Sequence, residues 1–354
     1  MEKDIFVSLV IPCRNEKKYI AECLSSIVDQ DFNTNNMEVL IVDGMSDDGT
    51  RTIIDEYSSR YPSVKVLDNP RHVTPAAMNI GINNARGDVI MKMDAHTIYD
   101  KHYVSNSVRY LKEYKVDNIG GYLIPIVQRE SLSGQLIVAV LSSRFGVGNS
   151  YFRIGSEKPR GVDTVAFGCY RREVFERIGL YNEGLRRGQD MEFNIRLKKA
   201  GGKILLHPSI VAYYYPPDTL WAFVKHSFTN GVWAIIPFKH SKTLPVSIRH
   251  IVPLGFVVSL FLFSILGFAN PGWWACLFVV ISLYLIISIV YTVNYVGKKK
   301  DLWLVLMPIV FMLFHISYGI GSIYGVCKCF FSASFWENIV YCLRKPKMTK
   351  SLRI

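Results

Sequence analysis

The chain has 354 residues, half of them hydrophobic, and its mean hydropathy is +0.18. This length exceeds that of one ordinary small domain, and the composition excludes a disordered or fibrous chain. The formal net charge of +12 is uneven, because 13 of the 41 Lys and Arg residues but only two of the 29 Asp and Glu residues follow Asp218. A basic excess confined to an apolar, aromatic half is typical of the flanks of membrane segments, so we expect no nucleic-acid partner.

The chain up to residue 124 alternates strand-like and helix-like segments. It opens without a long apolar stretch, so no cleaved secretory signal is expected. Apolar runs predict buried strands at 6–12, 38–42, 64–67 and 89–93, and helical spacing of apolar residues predicts helices at 17–29, 50–60 and 75–85. This alternation predicts an α/β domain with a mostly parallel sheet and helices on both faces. Such sheets bind ligands beyond the carboxyl ends of their strands.

Polar motifs follow three of these predicted strands. The first strand ends in PCRNE (12–16), and no glycine precedes Gly44, so a GxGxxG dinucleotide-binding turn is impossible there. The second ends in VDGMSDDGT (42–50), whose acids either accept hydrogen bonds from a base or ribose or form a plain turn with a helix cap. The fourth ends in MDAH (93–96), where a carboxylate and an imidazole two residues apart can share a divalent cation that holds a diphosphate.

Together and in this order, the motifs resemble those of the family 2 glycosyltransferases, which are inverting enzymes of the GT-A fold that use nucleotide sugars. The resemblance covers residues 5–235 and depends on four stretches: SLVIPCRNE, EVLIVDGMSDDGT, AAMNIGINNARGDVIMKMDAH and LRRGQDMEFNIRLKKAGGKI. The apolar C-terminal part is similar to the bacterial exopolysaccharide branch of this family.

The resemblance implies a nucleotide site, whose expected lining is Pro12, Arg14, Asn15 and Glu16. It places Asp43 on the uracil–ribose side, with Asp47 and Asp48 supporting it. Asp94 and His96 fall at the family's DxD motif, near the ribose, the diphosphate and a divalent cation. Because His96 replaces the usual second Asp, and imidazole suits Mn²⁺ more readily than Mg²⁺, the cofactor is expected to be Mn²⁺ or Mg²⁺.

The resemblance also implies a catalytic base. Asp190 matches the Asp of the family's Glu-Asp pair, while Gln189 replaces the Glu and so removes one neighbouring negative charge. A simple helix cap is the alternative interpretation of Asp190. Glu192 and Arg196 are four residues apart and could form a solvated helix pair.

Three nearly charge-free segments at 251–269, 273–296 and 302–326 are long enough to cross a bilayer, although buried helices of a soluble core are the alternative. We therefore divide the chain into a cytoplasmic GT-A domain (1–218), an interfacial amphipathic segment (219–249), a membrane region (250–327) and a basic tail (328–354). Seven scattered cysteines form no zinc pattern and are expected to be reduced packing residues.

The positive-inside rule orients these segments. Lysines at 298–300 and basic residues at 239, 242 and 249 lie on one side if the first two segments form a hairpin closed by residues 270–272. This places the catalytic domain in the cytoplasm, at a multi-pass plasma (inner) membrane. The basic tail also favours the cytoplasm, but three crossings would put it outside. Pro308 and the glycines at 319, 321 and 325 could let the third segment bend or re-enter, so both topologies stay open.

The expected activity is transfer of one sugar from a nucleotide sugar, a UDP-sugar by resemblance, to a lipid-linked saccharide such as a polyprenyl-diphosphate sugar. The QxxRW motif of the processive synthases is absent from the corresponding stretch KHSFTNGVW (225–233), which favours single addition. Polysaccharide assembly is the implied setting, with other assembly proteins as further partners. Two alternatives stay open: a polyprenyl-phosphate sugar synthase and a catalytically inactive membrane scaffold.

Overall fold

The computed structural model describes residues 5–240 and 248–344. The chain divides into two units: residues up to Ile124 with Gly155–Tyr214, and Pro125–Ile154 with the described residues from Tyr215 onward. In chain order the elements are β1 (Val7–Cys13), α1 (Ile20–Val28), β2 (Met37–Asp43), α2 (Thr50–Arg60), β3 (Val64–Asp68), α3 (Thr74–Asn84), β4 (Val89–Lys92), β5 (Thr97–Tyr99), α4 (Tyr103–Glu113), β6 (Asn118–Pro125), α5 (Leu132–Leu141), α6 (Arg144–Val147), α7 (Tyr151–Ile154), β7 (Arg160–Gly161), β8 (Cys169–Arg171), α8 (Arg172–Ile178), α9 (Gln189–Lys199), β9 (Ile204–Tyr214), α10 (Leu220–Ile235), α11 (Pro237–His240), α12 (Ile248–Ala269), α13 (Gly272–Lys299), α14 (Met307–Cys329) and α15 (Ala333–Arg344), with 3₁₀ turns at Thr34–Asn36 and Leu302–Leu306.

The first unit is built on a nine-stranded sheet formed by the described strands. Its order is β3-β2-β1-β4-β8-β6-β9-β5, with β7 beside β9. Strands β3, β2, β1 and β4 run parallel, whereas β8 is antiparallel to β4 and β6, and β9 is antiparallel to β5 and β7. The four predicted strands and the three helices between them are confirmed within three residues at each end. The antiparallel part was not predicted, because β5, β7 and β8 are too short to show an alternating pattern.

The register of the parallel strands brings the polar motifs to one edge of the sheet. Cys13 lies opposite Asp43, and Val10 lies opposite both Leu40 and Lys92. The strands are buried along nearly their whole length, as expected for a sheet covered by helices. The residues that follow β1, β2 and β4 are therefore neighbours beyond the same carboxyl ends.

A glycine lets α3 approach β1 closely. A Cβ atom on Gly81 would lie 2.3 Å from Val10 Cγ1, closer than any real contact, so only glycine fits at this crossing. The side chain of Asn79, on the same helix, donates hydrogen bonds to the Tyr181 carbonyl and to Glu183 Oε1, both at 2.9 Å. Helix α3 thereby ties the parallel strands to the loop that leads into α9.

The second unit consists of helices. The apolar helix α5 packs with α10 and α14 in a buried cluster that includes Leu136, Phe223, Met307 and Phe311. The sequence-based boundary at residue 218 kept residues 125–154 in the first domain, whereas in the structure this stretch belongs to the helical unit. The reason is the composition of α5, whose side chains need an apolar environment that the C-terminal helices supply.

Three of the described helices are long and apolar enough to cross a membrane: Arg249–Ala269, Gly272–Lys299 and Leu302–Cys329. They coincide with the three predicted segments. Helix α10 covers most of the predicted interfacial segment, but Phe223 is buried and only Trp221 among its aromatic side chains is strongly exposed, at 77%. Residues 241–247 of that segment lie outside the described residues.

Candidate active site

The loops after β1 and β2 are joined by reciprocal hydrogen bonds. Asn15 Nδ2 donates to Asp47 Oδ1 at 2.9 Å, and the Asp47 amide donates back to Asn15 Oδ1 at 3.1 Å. The Asn15 amide also donates to Ser46 Oγ at 2.9 Å. Asn15 has a φ of 56°, a left-handed conformation that Asn tolerates better than most residues. These contacts fix the two polar motifs against each other.

Asp48 caps α2 and reaches the first loop as well. It accepts hydrogen bonds from the Thr50 amide at 2.9 Å and from the Lys17 amide at 3.1 Å. The hydrogen bond from the Thr50 hydroxyl is the main reason that the pKa of Asp48 lies below its usual value. Asp48 thus acts locally as a helix cap, and its predicted support of the nucleotide pocket would pass through this loop.

Asp43 is buried at the end of β2 with donors on both oxygens. Ser46 Oγ donates to Asp43 Oδ1 at 2.6 Å, and Arg51 Nη1 lies 3.4 Å from Asp43 Oδ2. Arg51 also pairs with Asp68 at 2.6 Å. Both oxygens of Asp43 already accept hydrogen bonds from protein donors. A ribose hydroxyl could therefore contact Asp43 directly only by competing with one of these donors.

Arg14 lies over the start of the second motif. Its Nη1 donates to the His72 carbonyl at 3.4 Å, and its side chain would contact a Cβ on Gly44 at 3.0 Å. His72 Nδ1 in turn lies 2.8 Å from the Gly44 carbonyl oxygen. An exposed guanidinium held in this way at the sheet edge is suited to an anionic ligand. Pro12, still within β1, is partly exposed beneath it.

Asp94, His96 and Glu16 meet between β1 and β4. His96 Nδ1 lies 3.0 Å from Asp94 Oδ1 and 3.4 Å from Glu16 Oε1. Burial opposes ionisation of Asp94, but the adjacent His96 and the charge of Lys92 outweigh it and hold the Asp94 pKa below its usual value. Burial likewise opposes protonation of His96, but the charges of Asp94 and Glu16 raise the pKa of His96 well above its usual value.

The donors of Asp94, His96 and Glu16 decide whether this cluster fits a metal ion. Within residues 5–240 and 248–344, no three His, Cys, Asp or Glu side chains are grouped so that they could hold a metal ion. Asp94 and His96 nevertheless offer one carboxylate and one imidazole close together, and a bound cation would have to displace the proton from His96. Two protein ligands suffice where diphosphate oxygens and water complete the coordination of a hard divalent cation, so the residues present fit such a cation.

Asp190 lies in the first turn of α9 and is paired with a buried lysine. Lys92 Nζ, on β4, contacts Asp190 Oδ2, and the Lys92 side chain is only 7% exposed. Asp190 Oδ1 and the neighbouring Gln189 Oε1 have no hydrogen-bond partner among the described residues. The Asp190 carboxylate is thus oriented through Oδ2, whereas its Oδ1 is withdrawn from solvent, and a carboxylate fixed in this way is a candidate general base.

The rest of α9 is anchored firmly. Phe193 and Leu197 are buried, and Phe193 stacks on Tyr181 with ring centroids 4.5 Å apart. Arg196 pairs with Glu192 at 2.8 Å, but Glu192 is buried, so this is not the solvated pair that the spacing suggested. The position of Asp190 is therefore set by packing rather than by a flexible loop.

Sequence reasoning missed Lys92. A signal was available, because Lys92 interrupts the otherwise apolar strand β4 two residues before Asp94. A lysine in a buried strand requires a partner, but the sequence does not reveal that the partner is Asp190, which is 98 residues further along the chain.

The parallel sheet extended by antiparallel strands, with acidic loops at the carboxyl ends of β1, β2 and β4, defines a glycosyltransferase of the GT-A fold. The mannosyltransferase PcManGT from Pyrobaculum calidifontis, solved with GDP-Man and Mn²⁺, shares this fold with a TM-score of 0.56. It is 15% identical in sequence, and the similarity covers 91% of this chain and 88% of that one. The family model "Glycosyl transferase family 2" matches residues 8–179. The chain is a glycosyltransferase whose residues 8–179 match family 2, as its motifs had indicated.

Two relatives extend the similarity beyond the catalytic unit. A dolichyl N-acetyl-α-D-glucosaminyl phosphate 3-β-D-2,3-diacetamido-2,3-dideoxy-β-D-glucuronosyltransferase of Methanococcus voltae is 28% identical, over 91% of this chain and 98% of its own length. The succinoglycan biosynthesis protein ExoA of Rhizobium meliloti is also 28% identical, over 70% of this chain and 74% of its own. The similarity to the exopolysaccharide branch is thus confirmed.

Proposed function

We propose that this glycosyltransferase moves one sugar from a nucleotide sugar, a UDP-sugar, to a saccharide carried on a polyprenyl phosphate or diphosphate. The observation that carries the proposal is the pairing of Asp190 with buried Lys92, beside the Asp94–His96 cluster. Similarity to the Methanococcus voltae enzyme supports a lipid-linked saccharide as acceptor, since its name describes sugar addition to a dolichyl-linked N-acetylglucosamine and the similarity includes the apolar helices.

In this proposal Asp190 is the general base. The Asp190 carboxylate takes the proton from an acceptor hydroxyl while the acceptor oxygen bonds to the anomeric carbon of the donor sugar. The bond from that carbon to the diphosphate breaks in the same step, and the electron pair leaves with the nucleoside diphosphate. Attack from the opposite face converts an α-linked donor into a β-glycoside. Lys92 fixes the orientation of the Asp190 carboxylate through its contact with Oδ2.

The donor site is assigned to the three strand ends. Pro12, Arg14, Asn15 and Glu16 would line the nucleotide pocket, with Asp43 on the ribose side and with Asp47 and Asp48 fixing the loops. Asp94 and His96 would hold a divalent cation, Mn²⁺ or Mg²⁺, which neutralises charge on the leaving diphosphate when bound. The Mn²⁺ in the PcManGT complex supports this assignment.

The enzyme is placed at the plasma membrane with its catalytic unit in the cytoplasm. The support is the run of lysines at 298–300 at the end of α13 and the basic residues before α12. A membrane location suits an acceptor whose lipid tail stays in the bilayer. The basic excess after Asp218 also favours anionic lipids and lipid phosphates.

Membranes containing the enzyme, incubated with labelled UDP- and GDP-sugars and with lipid-linked acceptors, test this proposal. Transfer to a polyprenyl-linked saccharide supports it. Transfer to a bare polyprenyl phosphate that survives Asp190→Asn would instead identify a polyprenyl-phosphate sugar synthase, because a phosphate acceptor needs no base. Donor binding without transfer to any acceptor would identify an inactive scaffold.

A further inference from the structure

We infer that α14, the third apolar helix, does not cross the bilayer but lies in its interface on the side from which the chain enters α12. The hairpin formed by α12 and α13 then makes the only two crossings among the described helices. The inference rests on the proposed membrane location, and it concerns the second unit alone.

The start and the middle of α14 contact the base of the hairpin, where α12 begins and α13 ends. Leu304 and Met307 belong to a buried cluster against which Tyr295 and Val296, in the last turns of α13, also pack. Eleven residues beyond Met307, the Tyr318 hydroxyl lies 2.9 Å from Nδ1 of His250, in the first turn of α12. If α14 crossed the membrane antiparallel to α13, Tyr318 would lie about three helical turns deeper in the bilayer than the start of α12. It could then not contact His250.

Gly319 confirms that the middle of α14 packs on the first turns of α12. A Cβ atom there would lie 2.5 Å from the Pro253 carbonyl oxygen and 2.5 Å from Val257 Cγ2. On α13 the outermost buried side chain is Tyr284, whose hydroxyl lies 2.9 Å from His315 Nδ1. Between Val257 and Tyr284 only Gly267 is buried, and its cover is Trp274 of the hairpin itself. The outer half of the hairpin therefore projects beyond α14.

The second half of α14 packs on elements that precede the hairpin. A Cβ on Gly321 would lie 2.1 Å from the Phe228 carbonyl oxygen, and a Cβ on Gly325 would lie 2.9 Å from that of Val232. Cys329, the last residue of α14, shares a buried cluster with Phe238 of α11. In a three-crossing bundle this end would instead adjoin the turn between α12 and α13, on the far side of the membrane.

The exposure of α14 fits an interfacial position. Half of its apolar stretch is buried, against 17% for each hairpin helix. Its strongly exposed apolar side chains, Ile309, Leu313, Ile320 and Tyr324, follow one another at spacings of four, seven and four residues and so form a single stripe. Such a stripe can enter the boundary between headgroups and acyl chains while the opposite face packs on protein.

This arrangement removes the conflict in charge. With two crossings, the basic residues at 344, 345, 347, 350 and 353 lie on the same side as the lysines at 298–300. Both clusters can then lie against the anionic lipids of the cytoplasmic leaflet. With three crossings, the tail would break the positive-inside rule.

The test is labelling of single cysteines with a membrane-impermeant maleimide in intact and permeabilised bacterial cells. The seven native cysteines are replaced, and one is introduced by Asn270→Cys in the hairpin turn, by Ser334→Cys after α14, or by Ser59→Cys as an exposed control in the catalytic unit. We expect intact cells to label only the Asn270→Cys protein. The other two proteins should be labelled only after permeabilisation.

The outcomes separate this inference from the proposed function. Labelling of Ser334→Cys in intact cells, like that of Asn270→Cys, would establish a third crossing and overturn the inference alone. Labelling of Asn270→Cys only after permeabilisation would show that the hairpin does not cross the membrane. That result would overturn both this inference and the proposed membrane location. If cysteine replacement impairs folding, reporters are fused after Ile354 of the protein with its cysteines intact. A fluorescent GFP fusion and an inactive alkaline phosphatase fusion support the inference. A dark GFP fusion and an active alkaline phosphatase fusion overturn it.

Discussion

At the residue scale, the site depends on a few polar contacts between distant parts of the first unit. Asp190 and Lys92 come from a helix start and a strand, and Asp94, His96 and Glu16 come from two strand ends. Each of these groups is partly or fully withdrawn from water, so each depends on its neighbour to balance its charge. Single substitutions here should therefore affect chemistry more than folding.

Asp190→Asn should lower the transfer rate by about two to four orders of magnitude, because the amide keeps the size of the side chain but cannot accept the proton. Donor affinity should stay close to the native value, whereas the thermal midpoint should fall because buried Lys92 loses its charged partner. Glu173→Gln is the matched control, since Glu173 lies in the first turn of the neighbouring helix α8. Near-native transfer by a well-folded Asp190→Asn enzyme would move the base to another carboxylate or remove the need for one.

Lys92→Met should lower the transfer rate by about 10- to 100-fold without weakening donor binding, since Lys92 contacts Asp190. In an Asp190→Asn background the same substitution should have almost no further effect, because Lys92 then has no base to hold. Lys65→Met is the control, because Lys65 Nζ pairs with Glu38 Oε2 at 3.2 Å but does not lie at the carboxyl ends of the strands, where the site is. Full additivity of the two losses would show that Lys92 acts independently of Asp190.

His96→Asp should shift the metal preference of transfer from Mn²⁺ toward Mg²⁺, because it replaces an imidazole by a carboxylate beside Asp94. The measurement is the ratio of rates at saturating Mn²⁺ and Mg²⁺, together with metal-dependent binding of the nucleotide. An unchanged ratio would make His96 a partner of Asp94 and Glu16 rather than a ligand.

At the scale of elements, close helix packing in the second unit depends on small residues. Helix α10 follows α14 in parallel, from Phe223 beside Phe314 to Val232 beside Gly325. A Cβ on Gly231 would lie 2.0 Å from the Tyr318 carbonyl oxygen, so the two backbones are nearly in contact there. This contact holds α14 against the helix that directly follows the catalytic unit in sequence.

Gly231→Ala should destabilise the protein by about 1–3 kcal/mol through overpacking, even though Ala is the better helix former. Gly255→Ala is the control, since Gly255 also lies in a helix of this unit but a Cβ there meets nothing within 4 Å. Thermal unfolding in detergent should show a lower midpoint for Gly231→Ala and an equal or higher one for Gly255→Ala. Equal midpoints for both variants would show that α10 and α14 can separate without cost.

At the scale of the whole molecule, the chain combines a nearly neutral catalytic half with an apolar, basic half. The hairpin helices expose their apolar side chains around most of their circumference, including Phe268, Phe278 and Val293. In water, the free energy needed to expose so much apolar surface would far exceed the free energy of unfolding of an ordinary domain. In a bilayer, lipid covers these side chains.

The full chain should therefore remain with membranes after an alkaline carbonate wash and be released only by detergent. A soluble cytoplasmic enzyme serves as the washing control. Recovery of the chain in the washed supernatant would favour the alternative that these helices are the core of a soluble protein.

The sequence alone determined the class of fold, the strand ends and the three apolar helices. It did so because these features depend on local signals: runs of apolar residues for β1, β2 and β4, and lengths of uncharged chain for α12, α13 and α14. It also gave Asp190 and Asp94 as candidates, because their motifs are contiguous. The polar residues that follow each parallel strand necessarily gather at one edge of the sheet.

Only the tertiary structure decided which groups meet. The contact of Lys92 with Asp190 joins residues 98 positions apart, and the inclusion of α5 in the second unit depends on packing with α10 and α14. The sequence alone also did not determine how α14 packs relative to α12 and α13. Hydropathy shows that a helix can lie in lipid, but not against which neighbours or at what depth. The contacts of α14 with His250, Pro253 and Phe228 determine this packing within the second unit. Each contact fixes which residues of two neighbouring helices lie side by side.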